Sequence, residues 1–142
     1  MYSSGSIHHF DGTADHECFA DVSIMDKMLI RTNDQTVLAG KCFFAETWFQ
    51  RLRGMIGRRF TATPFDAMVF EHCNAVHCCW MSEAVDVLFV TDKLEVVKVC
   101  SKIKPWRFAA GGKRTEITVE LPAGTLEDCG IKVGDILEFK PL

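Results

Sequence analysis

Eight short runs rich in β-branched and aromatic residues, each closed by turn formers, most constrain what this chain can fold into. They are Met28–Arg31, Val37–Ala45, Ala67–Glu71, Ala75–Trp80, Val85–Thr91, Leu94–Ile103, Thr115–Leu121 and Ile136–Lys140. Val, Ile and Phe suit a pleated, half-buried surface, and the turn residues keep the runs at strand length. Val85–Thr91 and Leu94–Ile103 read as a hairpin turning at Asp92-Lys93. The better helix candidate is Thr47–Ile56, where Trp48, Leu52, Met55 and Ile56 recur at helical spacing. Thr47 can cap that helix and Gly57 can stop it. A second, shorter helix is expected over Thr125–Cys129. Lys104–Arg114, with Pro105, Gly111 and Gly112, reads as a long loop. Many short strands with little helix predict a mainly β (β-rich α+β) fold: a small barrel or rolled sheet with one or two short helices.

The last twenty-odd residues fix local geometry. Pro122 cannot donate to a ladder and ends a strand. Gly124 and Gly130 bracket the short helix. Gly134-Asp135 is a turn in which the glycine takes φ > 0 and the carboxylate accepts nearby backbone N–H groups.

A length of 142 residues predicts one domain, large enough to bury a core without staples. Residues 1–26, rich in Ser, Gly, His and Asp, read as a loosely ordered arm, and residues 27–142 as the domain. A net charge of −3 argues against nucleic-acid binding, which leaves a basic footprint. No run approaches the roughly 20 apolar residues of a membrane helix, and no signal peptide is recognisable. The seven cysteines are odd in number and mostly sit in apolar runs. That pattern suits reduced, buried thiols and a cytoplasmic chain.

Several segments, in order, resemble one family, the domain of unknown function 192. They are Arg51-Leu52-Arg53-Gly54-Met55-Ile56-Gly57-Arg58, Met68-Val69-Phe70, Trp80-Met81, Asp86-Val87-Leu88-Phe89, Glu120-Leu121-Pro122-Ala123-Gly124 and Gly130-Ile131-Lys132-Val133-Gly134-Asp135. Together they span roughly residues 45–140. The family is one of small bacterial and archaeal proteins without an assigned activity. The resemblance therefore implies a fold and a candidate surface, and no reaction. Gly134-Asp135 also resembles the Gly-Asp element of cradle-loop barrels, which supports the barrel expectation at fold level only. The chain departs from the family pattern after Trp80-Met81. A basic residue and an asparagine are usual there, and Ser82-Glu83-Ala84 stands instead.

Three constellations could carry chemistry. Arg51, Arg53, Arg58 and Arg59, interrupted by Gly54 and Gly57, could bind a carboxylate or phosphate through guanidinium forks. Solvated surface, with one arginine paired to Asp86, is the plainer account. Asp86 lies in an apolar strand and must find partners there. His72, Cys73, His77 and Cys78 are metal-ligand types, but alternate strand residues face opposite sides and no C-x-x-C pair is present. Trp80 and Met81, with Trp106 in the long loop, could wall an apolar pocket, or Trp80 could anchor the core. Asp135 reads as a turn acceptor. No catalytic Ser-His-Asp elbow, phosphate loop or dinucleotide fingerprint occurs. The reading that follows is a non-catalytic module, without a cofactor, binding a small anionic or polar ligand or a peptide. Arg51, Arg53, Arg58, Trp80, Met81 and Asp86 would form its site. The alternatives are an enzyme using His77 or a cysteine beside the arginines, and a metal protein through His72, Cys73, His77 and Cys78.

Overall fold

The structure, a computed structural model, describes residues 26–142. The arm expected over residues 1–26 lies, but for Asp26, outside the described residues. The main fold is set by strands whose two faces are both apolar. In β4 (Ala67–Glu71), Ala67 and Val69 point into one buried cluster, and Met68 and Phe70 point into another. In β6 (Val85–Val90), Leu88 and Val90 join the first cluster, while Val85, Val87 and Phe89 join the second. Period-2 alternation sends neighbours to opposite faces, so this sheet divides two cores.

It has five strands. Their order is β3 (Cys42–Phe44), β4, β9 (Ile117–Pro122), β6 and β7 (Val96–Ile103). β3 and β4 are parallel and the other neighbours antiparallel. A second sheet, in the order β10 (Leu137–Pro141), β1 (Lys27–Arg31), β2 (Val37–Ala39), adds Leu29, Leu38 and Leu137 to the first core, beside Leu126 of α2 (Thr125–Asp128). The second core is closed by Met55, Phe60, Phe65, Cys78 and Ala109. Met55 follows α1 (Trp48–Arg53), and Ala109 belongs to a two-stranded ribbon of β5 (Ala75–His77) and β8 (Phe108–Ala110).

The mainly β expectation therefore holds, but among the described residues no closed barrel forms: β3 and β7 end the central sheet without pairing to one another. One reason lies in Val37–Ala45, which is two strands rather than one run. The Asp66 carboxylate accepts the N–H groups of Gly40 (2.9 Å) and Lys41 (2.7 Å). These amides are withdrawn from a ladder, and the chain passes from one sheet to the next. Lys104–Arg114, expected as a loop, contains β8.

Helix α1 is capped as expected. The Thr47 hydroxyl accepts from Gln50 N–H, and the Gln50 side chain accepts from Thr47 N–H, a reciprocal capping box. The stop comes at Gly54, three residues before the expected Gly57. Gly54 has φ of 47°, open to a residue without Cβ. At the other end of the chain, Gly134 has φ of 93° and the Asp135 carboxylate accepts from Lys132 N–H at 2.9 Å. Arg31 reaches the same carboxylate from β1 at 3.3 Å.

Candidate pocket beside the central sheet

The Gly54 stop turns the chain back over the second face of the sheet. There the segment Arg51–Ile56, Phe70 of β4, Cys73, β5 and Met81 surround a pocket of about 420 Å³. A volume of several hundred Å³ is typical of small-molecule sites. Its depth is read from burial. Met55, Phe70, Met81 and Glu120 are buried, whereas Leu52, Arg53, Ala75 and His77 are exposed and form the mouth. Arg51 is half-buried there and donates to the His72 carbonyl oxygen at 3.3 Å, which ties α1 to the turn between β4 and β5.

Glu120 supplies the polar group at depth. It lies on β9, the middle strand, opposite Met68 on one side and Val87 on the other. Only 3% of it is exposed, and among the described residues its buried Oε2 has no hydrogen-bond partner. Burial alone pushes its carboxyl up to about 8, because no cation offsets the desolvation. At neutral pH it is an uncharged carboxylic acid, with one O–H to donate. The nearby Cys78 thiol is pushed up to about 11, chiefly by burial and secondarily by Glu120. A thiol so placed is not a nucleophile at neutral pH.

Of the expected site residues, the fold brings Arg51, Arg53 and Met81 together at this pocket. Arg58, Trp80 and Asp86 do not line it. Trp80 is 68% exposed and meets Trp106 edge-on, with ring centroids 4.6 Å apart. It therefore neither anchors the core nor walls the pocket. Both tryptophans have left-handed backbone, at φ of 63° and 69°. Their loops are joined by Trp106 N–H to the Cys78 carbonyl and Cys78 N–H to the Arg107 carbonyl, both at 2.8 Å.

The arginine expected beside Asp86 gives way to backbone. One carboxylate oxygen accepts from Lys102 N–H at 2.8 Å and the other from Leu126 N–H at 2.9 Å. The β6–β7 register shifts between Val85 and Val87, a bulge opposite Asp86 that leaves the Lys102 amide needing an acceptor. The Leu126 amide, in the first turn of α2, has the same need. Asp86 thus ties sheet to helix, away from the pocket.

The four metal-ligand candidates do not converge. Cys78 is buried in the second core, and His72 is exposed beside Glu116 at 3.5 Å. The Cys73 thiol donates to the Ala75 carbonyl. Among the described residues, no three or more His, Cys, Asp or Glu side chains come together as a metal site would require. Also among these residues, no helix is long and apolar enough to cross a membrane.

Glu120 was missed in the sequence. In β9 its parity is shared with Thr118, the opposite of the apolar Ile117, Val119 and Leu121. That alternation looks like a strand with one solvated face. The signal that could have revealed it is position: a strand paired on both sides, and covered on both faces, has no solvated face.

These features define a β-rich domain built on a doubly covered five-stranded sheet, with a pocket over one face. The chain belongs to the domain of unknown function 192 family, described as "Uncharacterized ACR", which it matches over residues 28–139. It is 35% identical over 98 residues to a UPF0127 protein of Pyrococcus furiosus, covering 68% of this chain and 84% of that one. A UPF0127 protein of Thermococcus sibiricus is 29% identical over 119 residues, covering 80% and 75%. Among solved structures, a candidate transcription regulator of Sinorhizobium meliloti superposes with a TM-score of 0.68 at 21% identity, covering 81% of this chain and 95% of that one. A protein of unknown function from Novosphingobium aromaticivorans gives 0.64 at 18%, covering 78% and 83%. At these identities the structural likeness concerns fold alone.

Proposed function

We propose that the chain is a non-catalytic binding module for a small, largely apolar molecule with an anionic group. The observation that carries this is the pocket of about 420 Å³ in which Arg51 and Arg53 stand at the mouth over Met55, Phe70 and Met81. The apolar interior gains from displacing water, and guanidinium groups recognise carboxylate or phosphate. A net charge of −3 gives no basic footprint for nucleic-acid binding.

The test is a thermal-shift titration with straight-chain carboxylates of four to eight carbons. The melting temperature rises with ligand concentration, since a ligand of the folded state stabilises it by mass action. Replacing both Arg51 and Arg53 by Ala weakens the apparent affinity by about tenfold or more, the equivalent of one charge-assisted contact. No shift with any chain length, or equal affinity in the double variant, overturns the reading.

A further inference from the structure

We propose that Glu120 sets the specificity of this pocket, its carboxyl group donating a hydrogen bond to an uncharged oxygen acceptor, such as a ketone or amide carbonyl, at the buried end of the ligand. The inference rests on the binding reading above and names the ligand more closely: an anionic group at the mouth, an apolar body, and a carbonyl-type oxygen at depth.

Geometry carries it. Glu120 lines the pocket at 3% exposure, and among the described residues its sealed Oε2 has no hydrogen-bond partner. Buried polar atoms in folded proteins almost always have a partner, so an unpaired carboxyl in the wall of a cavity marks where a ligand atom belongs. The surroundings decide which atom. The paired neighbours on β4 and β6 are Met68 and Val87, both apolar. The titratable or charged groups around it are Arg51 and Arg53 of α1, Cys73 between β4 and β5, His77 of β5, and Cys78 beyond it; on the paired strands, Glu71 ends β4 exposed and Asp86 of β6 is held by the Lys102 and Leu126 amides. Neither guanidinium pairs with Glu120, and burial is what raises its carboxyl to about 8. A neutral acid donates to a carbonyl at no cost in charge. An ammonium group would have to pass two arginines and strip the carboxyl of its proton in an apolar site.

The experiment compares three ligands of one length by isothermal titration on the full chain: hexanoate, 5-oxohexanoate and 6-aminohexanoate. At about pH 7, the oxo acid binds roughly tenfold tighter than hexanoate, one net hydrogen bond to a buried donor, and the amino acid binds weakest. The oxo acid loses affinity as the pH passes 8, by up to about tenfold at pH 9.5, because only the protonated form of Glu120 donates and the advantage over hexanoate goes with it. Glu120→Gln, whose amide donates at every pH, flattens that profile. Tighter binding of 6-aminohexanoate, or a wild-type affinity independent of pH, overturns the role of Glu120 while leaving the pocket as a binding site. Failure of all three ligands overturns both.

Discussion

Replacing Glu120 by Gln changes how the stability of this protein depends on pH. The ordinary value for a glutamate is 4.5, and burial raises that of Glu120 to about 8. Between those two pH values the folded chain keeps a proton that the unfolded chain has released. The stabilising effect of the low-pH form is complete below 4.5 and is lost as the pH rises to 8. Each pH unit in that interval costs the folded state about 1.4 kcal/mol relative to the unfolded state. The whole interval amounts to at most about 5 kcal/mol, and to roughly 2–4 kcal/mol if water enters as the acid ionises. Glutamine carries no such linkage. The assay is urea denaturation of wild type and Glu120→Gln at several values between about pH 5 and pH 9. Other ionisable groups contribute alike to both proteins and cancel in the difference. The variant therefore gains on wild type by roughly 2–4 kcal/mol from the acid to the alkaline end, whatever the fixed offset of burying an amide. Parallel stability profiles for the two proteins would refute the reasoning, since Glu120 would then ionise as it does in water.

Two further outcomes test the scaffold. Asp86→Ala strips acceptors from the Lys102 and Leu126 amides, and its urea midpoint corresponds to a loss of roughly 3–5 kcal/mol; a loss below about 0.5 kcal/mol would mean that water or a shifted backbone replaces the carboxylate. At Gly111 an added Cβ would collide with the Thr115 side chain and come within 2.5 Å of the Phe89 ring. Gly111→Ala therefore lowers thermal stability by the equivalent of about 1–3 kcal/mol, and an unchanged melting temperature would show that this junction is not tightly packed.

Local chemistry made most of the elements legible. The capping box of Thr47 and Gln50, the Asp92-Lys93 hairpin turn and the Gly134-Asp135 turn are written within a few residues of where they act. What escaped was written at a distance. The break at Gly40-Lys41 depends on Asp66, and β8 has an identity only because β5 pairs with it. Asp86 called for a partner, but which partner depended on a bulge in β7 and on the start of α2. The candidate site divides in the same way. Arg51, Arg53 and Met81 stood out by residue type and by the family resemblance. Glu120 belonged to the same resemblance, but its importance comes from lying in the middle strand under a second layer.

The pairing of β1 with β10 has a consequence for how the chain is made. Lys27 lies opposite Pro141 and Arg31 opposite Leu137, so the earliest described strand has as its neighbour the latest. Its other neighbour, β2, leaves that edge bare until residues 137–141 have been synthesised. At about 5–20 residues per second, ribosomal synthesis keeps that edge waiting for several seconds or more. Two-stranded ribbons are marginal in water, so β1 and β2 are held only weakly in that time. The sheet that covers the first core is completed last, and a chaperone would meet the nascent chain with Leu29 and Leu38 still uncovered.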